Sequence, residues 1–233
     1  MRTLTRRRAL GLGLGTVAAG ILGGCATPGT TSVNSLPVIP AKAPGEKVTL
    51  TYWAWLKDLQ KVADIWNAQH PDIQVNTVWI PGGNSGGYMS APAGGQYDFK
   101  RDVLDKKPDL VTIEFVNDAY LEGDALKEHY GKIRDALRAI PAEIILITPH
   151  YVRQDWMGVS TVKVDEDPRP YVRGLRVFAA DNGIAVADAA KLWGELWRKG
   201  IPYPIILANA INHPDERGHE MFADALMAVF PEK

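Results

Sequence analysis

Residues 108–116, PDLVTIEFV, form a nearly continuous apolar run, and that run decides the fold class. A strand with one wet face alternates apolar and polar side chains, whereas a strand covered on both faces has no need to alternate and belongs to a parallel sheet under helices. Upstream, residues 48–55 (VTLTYWAW) and 73–80 (IQVNTVWI) read as two further strands, rich in β-branched and aromatic residues. Between them, residues 56–69 place Leu59, Val62, Ala63 and Trp66 at spacings of three and four, an amphipathic helix that His70 and Pro71 stop. A Gly-rich loop over 81–95 and a short helical stretch over 98–105 lead into the central run. Downstream the alternation continues, with helix 124–140, strand 143–148, helix 170–182, strand 184–187, helix 189–199 and a closing helix over 214–230. Strand and helix alternating through short connections predict an α/β fold, a three-layer α/β/α sandwich around a parallel, flavodoxin-like sheet. Ligand chemistry in such a sheet sits at the carboxyl ends of the strands, where the strand order reverses.

The beginning of the chain reads differently. Arg2, Arg6, Arg7 and Arg8 precede an uncharged Gly, Ala and Leu stretch over residues 9–24, the pattern of an export signal. That stretch is shorter than the roughly 20 residues a helix needs to cross a bilayer. Residues 5–10 (TRRRAL) resemble the twin-arginine export consensus, and residues 22–25 (LGGC) resemble a lipobox. Residues 1–25 are therefore expected to be a signal peptide, with Cys25 as the lipidation site that tethers the mature protein outside the cytoplasm, on the membrane. Cys25 is also the chain's one cysteine, which excludes an intramolecular disulfide and a cysteine metal cluster. Residues 26–47 are rich in Pro, Thr, Ser and Gly and are expected to be a flexible linker, leaving residues 48–233 as one domain. The formal charge of the whole chain is -1, and removal of the signal's arginines makes the rest more acidic. No basic stripe offers itself to nucleic acid, no spacing of His and acidic residues points to a metal, and no cofactor is implied.

The residues that follow the strands are polar. Asn117 and Asp118 follow the third strand, Pro149 and His150 the fourth, and Asn209, Asn212, His213 and Pro214 precede the last helix. An imidazole in such a loop can serve as a general base, and an Asn amide can donate to a developing oxyanion. Asn-Asp is equally good turn chemistry, and Asn-His-Pro a good start to a helix.

From about Gly94 to the end the chain resembles the SGNH (GDSL-type) hydrolases. PDLV at 108–111 running into Asn117-Asp118 resembles the family's third block, residues 145–149 (ILITP) the strand that follows, and Asn212-His213-Pro214 with Gly218-His219 the fifth. The resemblance implies an esterase-type activity on a small ester or acylated carbohydrate, with His213 as general base, Asn117 as an oxyanion donor and the backbone N–H of Gly95 as another. Three departures accompany it. The glycine expected before Val116 is absent, the position three before His213 is Ala210 where an acid is usual, and the Gly-Asp-Ser of the first block is missing. The place of the nucleophilic serine reads Trp53-Ala54-Trp55-Leu56-Lys57, without a hydroxyl or a thiol. Ser85, in the Gly-rich loop over 82–87, is the candidate replacement, and Asn209 and Asn212 are the groups left to orient His213.

Residues 1–90 have a likeness of their own. VTLTYWAW, then Trp66-Asn67, His70-Pro71-Asp72 and the PGGNSGGY of 81–88 are similar to the N-terminus of an extracellular solute-binding lipoprotein of a sugar ABC transporter. That likeness implies a fusion near residues 89–94. It also implies an alternative function, non-catalytic binding of a sugar on the faces of Trp53, Trp55 and Tyr88.

Overall fold

The computed structural model describes residues 45–80, 85–90, 94–157 and 167–230. The expected signal, Cys25 and most of the linker lie outside the described residues, as do residues 81–84 of the Gly-rich loop. In chain order the elements are β1 (Val48–Ala54), α1 (Leu59–Gln69), β2 (Ile73–Trp79), α2 (Ser85–Ser90), α3 (Phe99–Asp102), β3 (Leu110–Ile113), α4 (Gly123–Arg138), β4 (Glu143–Ile147), α5 (Pro170–Asn182), β5 (Ala185–Ala187), α6 (Ala189–Arg198) and α7 (Glu216–Met227). All strand pairing is parallel, as the α/β reading requires.

Local chemistry sets the boundaries. Asp98, Asp188 and Asp215 each accept a hydrogen bond from the backbone N–H three residues on, capping α3, α6 and α7. Pro170 opens α5, and Gly183, at φ 63, closes it in the left-handed conformation that lets the chain turn directly into β5. The core lies between α4, α5, α6 and the sheet β3–β4–β5, with Leu126, Ile133, Leu137, Leu146, Leu175 and Trp193 all but inaccessible. Among the described residues no helix is long and apolar enough to cross a membrane.

Two features differ from expectation. The Gly-rich stretch is not loop throughout, because residues 85–90 wind into α2. The sheet is also not continuous. β1 pairs with β2, and β3 with β4 and β5, but no ladder joins β1 to β3. Aromatic bulk stands at this seam, where Tyr88 packs against Phe99 and Phe115 at centroid distances of 6.0 and 6.3 Å. Without a neighbour on that side β3 shortens to residues 110–113, and Leu110 is 39% exposed although its run reads as buried on both faces.

Candidate functional site

The gap between β1 and β3 is a cavity of about 760 Å³ that reaches the carboxyl ends of both strands. Trp53 and Trp55 at the end of β1, Tyr88 on α2 and Asn117 after β3 all line it, so the structure brings together residues that sequence reasoning picked out separately. Trp55 is 58% exposed, and its carbonyl accepts a 2.8 Å hydrogen bond from Trp79 Nε1, which fixes the Trp79 indole against the end of β1. Lys57 places its ammonium 5.7 Å from the Trp79 ring centroid. Asn117 sits in a tight turn, Val116–Asp118, with its amide exposed and, among the described residues, without a hydrogen bond.

Among the described residues one acid lines the cavity, Glu114, and its buried Oε1 has no hydrogen-bond partner among them. Burial pushes this carboxyl up to about 7, opposed by the charge of Arg169, which is itself engaged by Asp167 and the carbonyls of Pro149 and His150. Sequence reading passes over Glu114, which looks like one polar interruption in an apolar strand.

Beside this cavity, Ser85 is fully buried and its Oγ lies 3.3 Å from His129 Nδ1 on α4. The Ser85 backbone N–H donates to both oxygens of Asp118 at 3.3 Å. Tyr130 donates to Asp118 Oδ2 at 3.4 Å and shares a 2.5 Å hydrogen bond with Tyr171. Desolvation raises the Asp118 carboxyl, and its hydrogen bonds from Ser85 and Tyr130 pull the other way. His129 carries no signal in the sequence. It is one polar residue on an amphipathic helix, and only the packing of α2 against α4 reveals it.

His213 is placed elsewhere. It lies on an exposed loop whose backbone Asn209 organises: Asn209 Oδ1 accepts from the N–H groups of Ile211, Asn212 and His213, and Nδ2 donates to Asn212 Oδ1 at 2.9 Å. Asn209 and Asn212 thus shape the loop and leave the ring alone, which among the described residues makes no hydrogen bond. Ala210, in the position where an acid is usual, takes the left-handed conformation at φ 54. Beneath the loop, His150 is 5% exposed, hydrogen-bonds the Asn212 carbonyl through Nε2 at 2.8 Å and packs against Trp193 and Phe222. Burial lowers it to about 4, so it stays neutral and donates from Nε2. Gly95 is partly buried, with its carbonyl accepting from Arg101 at 3.1 Å.

No protein-family model matches the sequence, and neither does any curated protein. Solved structures do. Axe2, an acetylxylan esterase from Geobacillus stearothermophilus, matches at a TM-score of 0.53 and 21% identity, over 81% of this chain and 95% of that one. The chain shares a fold with acetyl xylan esterases. A second, AlAXEase, matches at 0.53 and 17% identity over 78% of this chain and 99% of that one. A two-domain esterase active on acetylated mannans matches at 0.51 and 17% identity, over 80% of this chain and 49% of that one. At such identities the likeness is one of fold, and at this coverage it extends beyond the hydrolase-like segment into the head of the chain.

Proposed function

We propose that this protein is an exported, lipid-anchored ester hydrolase of the SGNH type that removes small acyl groups from carbohydrate. The observation that carries the reading is the match of fold over nearly the full length of acetyl xylan esterases, with an aromatic cavity open at the carboxyl edge of the sheet. Indole and phenol faces at Trp53, Trp55 and Tyr88 offer a sugar ring apolar stacking surface, and the exposed Asn117 amide offers a donor to the oxygen of an acyl carbonyl. Export and anchoring through Cys25 rest on the sequence signals.

A second reading is favoured by one observation. The end of β1 bears Trp53 and Trp55 where this class carries its nucleophile, and both line the same cavity as Tyr88. A binding lipoprotein that holds a sugar without cleaving it needs that arrangement and no more. Incubation of the mature protein with acetylated xylo-oligosaccharide separates the two. Acetate release above a heat-unfolded control supports the hydrolase; no release, with quenching of tryptophan fluorescence by the sugar, supports the binding protein.

A further inference from the structure

We infer that Ser85 and His129 are the nucleophile and general base of this hydrolase, in place of a serine after β1 and the imidazole of His213. The inference rests on the ester-hydrolase reading and adds to it the residues that act.

The inventory of hydroxyls and imidazoles leads there. Among the described residues the serines are Ser85 and Ser90, and the Ser90 hydroxyl is spent on the Gly86 carbonyl. Of the chain's imidazoles, His70 stacks on Trp66 and bonds its carbonyl, His150 bonds the Asn212 carbonyl, and His213 and His219 are exposed without a hydrogen bond among the described residues. His129 alone touches a hydroxyl, that of Ser85, at 3.3 Å. A serine becomes a nucleophile when a base within hydrogen-bond reach takes its proton, and a charged group nearby favours the imidazolium that results. Asp118 supplies that charge. It is buried, close enough to His129 for the two to interact electrostatically, and held by the Ser85 N–H and the Tyr130 hydroxyl. Asp118 touches Ser85, through its backbone N–H and its hydroxyl, rather than the His129 ring, so it is a positioning residue that fixes where the hydroxyl stands.

Place supports the chemistry. Ser85 and Tyr88 lie three apart on α2, on one helical face, and Tyr88 lines the cavity. The hydroxyl itself is covered and stands beside the cavity rather than on its lining. In the reaction, Ser85 Oγ adds to the acyl carbonyl carbon while its proton passes to His129 Nδ1. Collapse breaks the acyl–oxygen bond, and the departing alkoxide takes that proton from His129 and leaves as the alcohol. Water then adds to the acyl-serine, losing a proton to His129. The carboxylic acid departs, and the proton returns to Ser85.

The test treats the full mature protein with a fluorophosphonate carrying a small alkyl group, maps the adduct by peptide mass, and measures aryl acetate hydrolysis in Ser85→Ala, His129→Ala and His213→Ala. The expected result is an adduct on Ser85 that the heat-unfolded protein does not form, with hydrolysis down at least ~100-fold in the Ser85 and His129 variants. Adduct mapping on the unaltered protein decides the matter even where a variant does not fold. Hydrolysis that persists in Ser85→Ala, or an adduct on another residue, overturns the dyad and leaves the hydrolase reading standing. Neither adduct nor hydrolysis from the unaltered protein overturns both.

Discussion

Replacing Glu114 with glutamine should stabilise the protein at about pH 8 and leave it nearly unchanged at about pH 4. Burial raises this carboxyl from 4.5 to about 7, and its Oε1 has no partner among the described residues to offset the loss of water. The unfolded chain gives up the proton near 4.5 and the folded chain holds it to about 7. The group's contribution to stability is therefore full below 4.5 and is lost as the pH rises through 7. At about 1.4 kcal/mol for each unit, the ionised carboxylate takes roughly 3 kcal/mol from the folded state above that range. Glutamine keeps the shape and removes the charge.

His150 works in the opposite sense. Burial lowers it from 6.5 to about 4, so its contribution is full above 6.5 and is lost as the pH falls toward 4, again roughly 3 kcal/mol. In the unaltered protein the two slopes oppose one another across this window, and the variant should unmask the slope of His150. Urea unfolding followed by tryptophan fluorescence reads both effects. With a denaturant slope of about 1–3 kcal/mol/M, the midpoint at about pH 8 should rise by ~1–3 M. A midpoint equal to that of the unaltered protein at this pH would refute the claim that Glu114 is a buried, unpartnered acid.

Two further substitutions test the packing behind the site. At Gly218 an added Cβ would stand 2.7 Å from Pro214 Cβ and 3.1 Å from the Ile206 carbonyl, so Gly218→Ala should cost about 1–3 kcal/mol and lower Tm by several degrees in calorimetry. Thr148, fully buried, donates to Asp188 Oδ1 at 2.9 Å and accepts from the Ala190 N–H at 3.0 Å. Thr148→Val strands that N–H and should cost about 1–3 kcal/mol in urea unfolding while Thr148→Ser does not; a Val variant as stable as the Ser variant would remove the hydrogen bonds from the argument.

The elements of this protein are written locally, and the sequence therefore determines them. Period-two and apolar runs place the strands, the three-and-four spacing of Leu59, Val62, Ala63 and Trp66 places α1 within a few residues of its observed ends, and Asp188, Asp215 and Gly183 mark helix boundaries by chemistry confined to one turn. The alternation of those elements carries the parallel α/β fold. What the tertiary structure decides is which surfaces meet. No local pattern records that β1 stops short of β3, because that depends on the bulk of Tyr88, Phe99 and Phe115 arriving from separate elements. None records that Glu114 Oε1 is left without a hydrogen-bond partner among the described residues, nor that Ser85 faces His129, 44 residues further along the chain, rather than His213. Periodicity and capping act over a few residues, whereas a site is assembled by side chains that only the folded chain brings within reach.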